Sequence, residues 1–220
     1  MTPDFNTIKN SAEIRTYITQ ADASLIALGY TEHSFAHVTK CAETAASILS
    51  QLGYDERHVE LGRIAGYMHD IGNVINRADH AQSGALMAFR ILDKMGMAAE
   101  DVAVIITAIG NHDEHTAFPV NAVAAALILA DKTDVRRSRV RSKDTIQLDI
   151  HDRVNYAVEQ SELSVDADAK TITLRMTIDT EICPVMEYFE IFLSRMLLCR
   201  KAAGYFSTEF KLVINGSTVL

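Results

Sequence analysis

The sequence predicts a mainly α-helical fold: a helical bundle over residues 1–150, followed by a small α+β unit (β-β-α-β) over 151–220. Three observations carry this. Apolar residues recur at helical intervals as far as about residue 140, and several of the runs stop at a glycine. Beyond residue 160 the pattern changes to period two on both sides of a polar turn. A long amphipathic stretch then separates this hairpin from one more alternating segment.

The first helix is expected over residues 5–28, from Ile8, Ile14, Ile18, Leu25 and Leu28, with Gly29 as its stop. Phe35, Val38, Cys41, Ala45, Ile48, Leu49 and Leu52 mark a second over 34–52, ended by Gly53. A third starts at Asp55, with acid in its first turn, and runs to His69 and Asp70 ahead of Gly72. The fourth takes Asp79 as N-cap and ends near Gly96; the fifth spans 98–109 and ends at Gly110. A sixth opens on Pro119 and continues through AVAAALILA to about Arg137. That apolar run also suits a buried strand, but its alanines favour helix. Residues 141–150 are polar and read as a linker or surface loop. SELSVDADAKTITLRMTID reads as a hairpin turning at Asp166–Lys170, CPVMEYFEIFLSRMLLCRKAAGYF as a helix with Pro184 in its first turn, and EFKLVING as a third strand. The apolar face of MEYFEIFLSRMLL is expected to pack on its own sheet or on the bundle, with homodimerisation as the alternative.

Composition narrows the function. A net charge of −8 over 220 residues argues against a general nucleic-acid or membrane-surface binder. The opening MTPDFNTIKN has no apolar signal core, and the longest apolar run is about half of a membrane span. Cys41, Cys183 and Cys199 are odd in number and lack CxxC spacing, so they read as buried thiols in a reducing compartment. A cytoplasmic protein is expected.

The chemistry lies in six positions. His37 falls early on the second helix, His69 and Asp70 end the third, His80 starts the fourth, His112 follows the fifth, and Asp131 ends the apolar run. Any one of these histidines alone reads as an ordinary core or surface residue, and the dipeptide His-Asp is common. The ordered set differs, because helices of one bundle can bring such groups to a common interior point. Imidazoles and carboxylates suit divalent iron, manganese, cobalt, nickel or zinc. Adjacent His69 and Asp70 point about 100° apart on a helix, so one can face a first ion while the carboxylate reaches toward a second. One or two divalent ions are therefore the expected cofactor. The run KTDVRRSRVRSK places Arg136, Arg137, Arg139, Arg141 and Lys143 after Asp131. It reads equally as a solvated helix end and as a set of guanidinium forks for phosphate. Arg136 and Arg137 are the favoured pair for the second role.

HVTKCAETA, HDIGN, HAQSGALMA, IGNHDEH and LILADKTDVRRSR together resemble the HD-domain superfamily of metal-dependent phosphohydrolases, over about residues 30–140. The pattern is most similar to HD-type dinucleoside-polyphosphate hydrolases and related bacterial phosphohydrolases. The resemblance implies that His37, His69, Asp70 and Asp131 hold one metal, that His80 and His112 complete a second, and that Asp70 bridges them. It implies hydrolysis of a phosphate ester or anhydride, with a nucleotide as the expected substrate and with His69 and Asp70 at the chemistry. Two positions depart from the pattern. Asn73 replaces the lysine of HDIGK, which passes phosphate binding to Arg77 or Lys132. Asn111-His112 replaces a doubled histidine, for which His115 is the candidate substitute. A di-iron oxygenase of the same class and a nucleotide-sensing module without turnover are the alternatives.

Overall fold

A computed structural model describes residues 2–142, 144, 146 and 149–220. The bundle contains α1 (Phe5–Asn10), α2 (Ala12–Ala27), α3 (Phe35–Gln51), α4 (Glu56–Met68), α5 (His80–Lys94), α6 (Ala99–Gly110), α7 (Ala122–Lys132) and α8 (Ile150–Ala157). Short 3₁₀ turns at Ile71–Val74 and Arg137–Arg139 follow α4 and α7. The remainder is β1 (Val158–Asp166), β2 (Thr171–Ile178), α9 (Val185–Tyr205), β3 (Glu209–Ile214) and β4 (Ser217–Thr218). Among the described residues no helix is long and apolar enough to cross a membrane.

Four differences from the expected elements have local causes. The first helix is broken at Ser11, whose extended backbone lets its hydroxyl accept from the Ile14 amide and cap α2. The sixth helix starts at Ala122, not Pro119, because Asn121 caps it through the Ala124 amide at 2.7 Å. It ends at Lys132, well short of Arg137, with Thr133 as its cap. The expected linker carries the start of α8, capped by the Asp149 carboxylate on the His151 and Asp152 amides. Residues 143, 145, 147 and 148 of that linker lie outside the described residues.

The sheet has the order β1-β2-β3-β4. β1 and β2 form the expected antiparallel hairpin, with Asp166 paired to Thr171. β2 and β3 are parallel, which requires a crossover, and α9 supplies it. Bundle and sheet share one apolar core. α7 runs through its centre: Ala122 to Ala130 are all buried, which fits a helix apolar on every side. α3, α4, α6 and α9 enclose it.

Small residues set how closely these elements approach. A Cβ at Gly66 would lie 2.7 Å from the Ala42 backbone, so α4 crosses α3 at near backbone contact. A Cβ at Gly72 would fall far inside contact with the His80 carbonyl oxygen and the Gly84 amide. Gly72 thus lets the turn after Asp70 rest on the first turn of α5 and sets His80 beside Asp70. Gly72→Ala is expected to cost at least about 1–3 kcal/mol through overpacking. The measurement is urea unfolding, with a lower midpoint at an unchanged slope.

Candidate metal centre

All six expected side chains meet at one point, and each arrives from the end of an element. His37 lies in the first turn of α3, whose N-cap is Ser34. His69 closes α4, and Asp70 leads into the 3₁₀ turn. His80 opens α5, His112 lies just past α6, and Asp131 is the penultimate residue of α7. The four histidines are buried.

Two donor groups share Asp70. In the first, His37 Nε2 is 3.4 Å from Asp131 Oδ1 and 3.6 Å from Asp70 Oδ2. His69 Nε2 is 3.8 Å and 3.3 Å from the same two oxygens. In the second, His80 Nε2 and His112 Nε2 lie 3.6 Å and 4.0 Å from Asp70 Oδ1 and 3.1 Å from each other. The opposite ring nitrogens are all engaged. Nδ1 of His69 donates to the Gly66 carbonyl at 2.8 Å, that of His80 to Arg77 at 3.1 Å, and that of His112 to Ile109 at 2.5 Å. A carbonyl can only accept, so Nδ1 carries the proton and Nε2 presents its lone pair to the interior. Lone pairs of His80 and His112 facing one another at this distance need a cation or a proton between them.

Electrostatics prepare the same atoms. Burial would raise the Asp70 carboxyl, but His69 and the other imidazoles around it outweigh this and hold it well below the usual range. Burial works against ionisation of Asp131 as well, and Lys132, His37 and His69 overcome it. Burial, reinforced by the neighbouring His69 and His80, pushes His112 well down, and burial lowers His80 against the pull of Asp70. The rings of His80 and His112 are therefore neutral at neutral pH, the form in which imidazole binds a metal, whereas at His69 burial is outweighed by Asp70 and Asp131, which raise it.

The residues present fit a divalent ion. His69 Nε2 and Asp70 Oδ2 are buried without a hydrogen-bond partner among the described residues. The donor atoms lie close enough together to serve one ion: His37, His69 and Asp131 in one set, His69, Asp70 and His112 in another. Cys41 belongs to the first set by proximity, but its sulfur is 3.7 Å from both ring nitrogens of His37. It therefore lies beside the ring, off the axis of the Nε2 lone pair, and burial raises its thiol well above the usual value.

The expected phosphate-binding cations divide. Lys132 is buried with Nζ 2.7 Å from Asp131 Oδ2, and Arg77 Nη1 stands 3.3 Å from His80 Nε2. Arg136 and Arg137 are taken up by the scaffold. Arg136 bridges Glu32 and Asp134 at 2.9 Å and 3.0 Å, while Arg137 donates to the Tyr156 carbonyl and lies over the Tyr156 ring. The helix they were expected to continue has already ended, so the chain carries them toward residues 30–34 and α8. Arg139 and Arg141 also bond the carbonyls of Glu32 and Tyr30. His115 is exposed and outside the cluster.

Three further residues belong to the centre. Asn73 Nδ2 donates to Asp70 Oδ1 at 2.9 Å, so the residue that replaces a lysine orients the shared carboxylate. Asp134, fully buried, accepts from His37 Nδ1 at 2.8 Å. His33 donates Nδ1 to the Thr31 carbonyl and stands edge-on to His37 with ring centroids 5.4 Å apart. Asp134 has no signal in a pattern of spacings, since it lies in the turn beyond α7.

The HD domain family profile matches residues 34–155, more than half of the chain. An uncharacterized protein, MJ1020, of Methanocaldococcus jannaschii is 24% identical over 197 residues, covering 79% of this chain and 75% of that protein. The crystal structure of a predicted HD superfamily hydrolase from an uncultured Thermotogales bacterium is 26% identical, with a TM-score of 0.45 over 56% of this chain and 67% of that one.

Two outcomes test the centre. Protein loaded with Mn(II) or Co(II) is expected to melt above the chelated form, because an ion bound only by the folded state at 100 times its dissociation constant adds about 2.7 kcal/mol; His69→Ala should remove that increment. The second concerns acid. Asp134 holds its charge to lower pH in the fold than in the unfolded chain, as burial is overcome by His37, Arg139 and Arg136. Its contribution is complete above the ordinary carboxyl pKa of 3.8 and is lost as pH falls below it toward the folded value. Asp70 and Asp131 act in the same direction. Stability of the metal-free protein, measured by urea unfolding from pH 6 to pH 3, should fall, and Asp134→Asn should flatten that fall.

Proposed function

This chain belongs to the HD domain family, and from that premise we propose that it is a metal-dependent phosphohydrolase that cleaves a phosphate ester or anhydride of a nucleotide. The observation that carries the reading is the shared carboxylate: Asp70 offers one oxygen to each of two histidine pairs, with two cations beside them.

Divalent ions held by His37, His69, Asp131, Asp70, His80 and His112 would supply Lewis acidity and bring coordinated water toward a neutral pKa. The chain's own residues do the rest. Asp70, held by Asn73, fixes the position of the attacking water by accepting its hydrogen bond. Lys132 and Arg77 approach from two sides and stabilise negative charge developing on phosphate. Burial of the histidine rings keeps the surroundings of low polarity, which strengthens those interactions. In a chain of net charge −8 the attraction of a phosphorylated small molecule falls to local cations, and Lys132 and Arg77 supply them at the centre. Three free thiols suit a reducing cytoplasm.

The test is a panel of mono- and dinucleotides incubated with chelated protein restored with Mn(II) or Co(II), with released phosphate and nucleotide products measured. Turnover should depend on metal and disappear in His69→Ala. Lys132→Ala should lower kcat by about 10²-fold. Intact nucleotides across all metals would overturn the reading. Oxygen consumption by an iron-loaded sample would move the chemistry to oxidation, and tight nucleotide binding without turnover would make the chain a sensor.

A further inference from the structure

We propose that the two halves of the centre are unequal: the half built on His37, His69 and Asp131 holds a resident ion, the half built on His80 and His112 holds an exchangeable one, and Asp134 is a positioning residue behind that difference. The inference rests on the metal-centre reading above and not on the reaction assigned to it.

Four observations point the same way. The first half gathers three side chains and the second two, each adding one oxygen of Asp70, with His69 within reach of both. The two Asp70 oxygens are not equivalent. Oδ1, toward the second half, already accepts from Asn73 Nδ2, whereas Oδ2, toward the first, has no partner among the described residues. A cation stands beside each half, but Arg77 Nη1 donates to a ligand atom of the second, His80 Nε2 at 3.3 Å, whereas Lys132 Nζ pairs with Asp131 Oδ2 and leaves Oδ1, the oxygen facing His37 and His69, to the first.

The fourth is the support of the ligands. His69, His80 and His112 bond Nδ1 to neutral backbone carbonyls. His37 alone uses a carboxylate, Asp134, at 2.8 Å with both groups fully buried. A charged acceptor fixes the ring's tautomer and makes the opposite nitrogen a stronger donor to metal. Asp134 is itself held: Arg136 Nε lies 3.0 Å from its other oxygen, and Arg139 Nη1 donates to its backbone carbonyl at 2.8 Å. Arg136 continues to Glu32, whose carboxylate accepts from Ser34 at the head of α3. The basic run thus ties the end of α7 to the start of the helix that carries His37.

The experiment titrates the chelated full-length chain with Zn(II) alone, followed by calorimetry, by counting metal after desalting, and by the ¹⁵N shifts of the histidine rings. Two steps are expected, with affinities about 10²-fold apart or more, and one ion per chain should survive desalting. The first equivalent should move His37 and His69 Nε2, and the second those of His80 and His112. Asp134→Asn preserves an acceptor of the same shape without the charge. It should weaken the first step about 10- to 100-fold and leave the second alone; His112→Ala should remove the second step alone. Two steps of equal affinity, shifts that move together, or an Asp134→Asn variant with an unchanged first step would overturn the proposal. If Asp134→Asn does not fold, the wild-type ring shifts decide: His37 must keep its proton on Nδ1 throughout the titration, and a proton on Nε2 refutes the role of Asp134. No readout uses a substrate, so this inference and the phosphohydrolase reading fail separately.

Discussion

His69 Nε2 and Asp70 Oδ2 lie 3.3 Å apart, buried and without hydrogen-bond partners among the described residues, and the rest of the molecule is organised around them. A buried polar atom without a partner costs about 1–3 kcal/mol. Here the cost falls in a cluster of four imidazoles and two carboxylates that packing alone does not call for. Every ring is turned the same way, its Nδ1 bonded outward and its Nε2 inward. The arrangement is a set of lone pairs aimed at a common space, and a divalent cation is the species that satisfies them together.

Holding these groups in register is a matter of close approach. Gly66 lets α4 settle against α3, so that His37 and His69 come from adjacent helices with ring centroids 5.2 Å apart. Gly72 does the same between the turn after Asp70 and α5. Lys132 and Asp131 lie at the end of the buried α7, which makes their placement a property of the core and not of a loop. The tie from Asp134 to His37 spans 97 residues of sequence and, with the bonds of Arg136 and Arg139 to Glu32, closes the bundle between its second half and its first.

Much of this is legible in the chain because residue type and helical period carry it. The six expected ligands are chemically distinctive, and each lies beside an apolar run that marks its helix. The hairpin and β3 announce themselves by alternation, whereas the two-residue β4 is too short to show one. What is not legible has a physical reason in each case. Ser11 occupies a place in a helical pattern that an exposed serine would fill equally well, and only its cap geometry shows the break. α8 has two turns, too few for a period to stand out in a polar stretch. Arg136 and Arg137 follow Asp131 at helical spacing, but the helix stops at Lys132, so that spacing says nothing of where they point. Asp134 looks like any acidic turn residue until His37 is seen opposite it.

The family match ends at residue 155, but the helix bearing Asp131 is not covered by the matched region alone. α9 lies along α7, and its Tyr188, Phe192, Met196 and Cys199 are buried in the shared core. Cut at the edge of the recognisable domain, the chain would offer the flank of its central helix to water. The portion that the family profile marks out and the portion that shares one apolar core therefore have different borders, and the second includes the C-terminal layer.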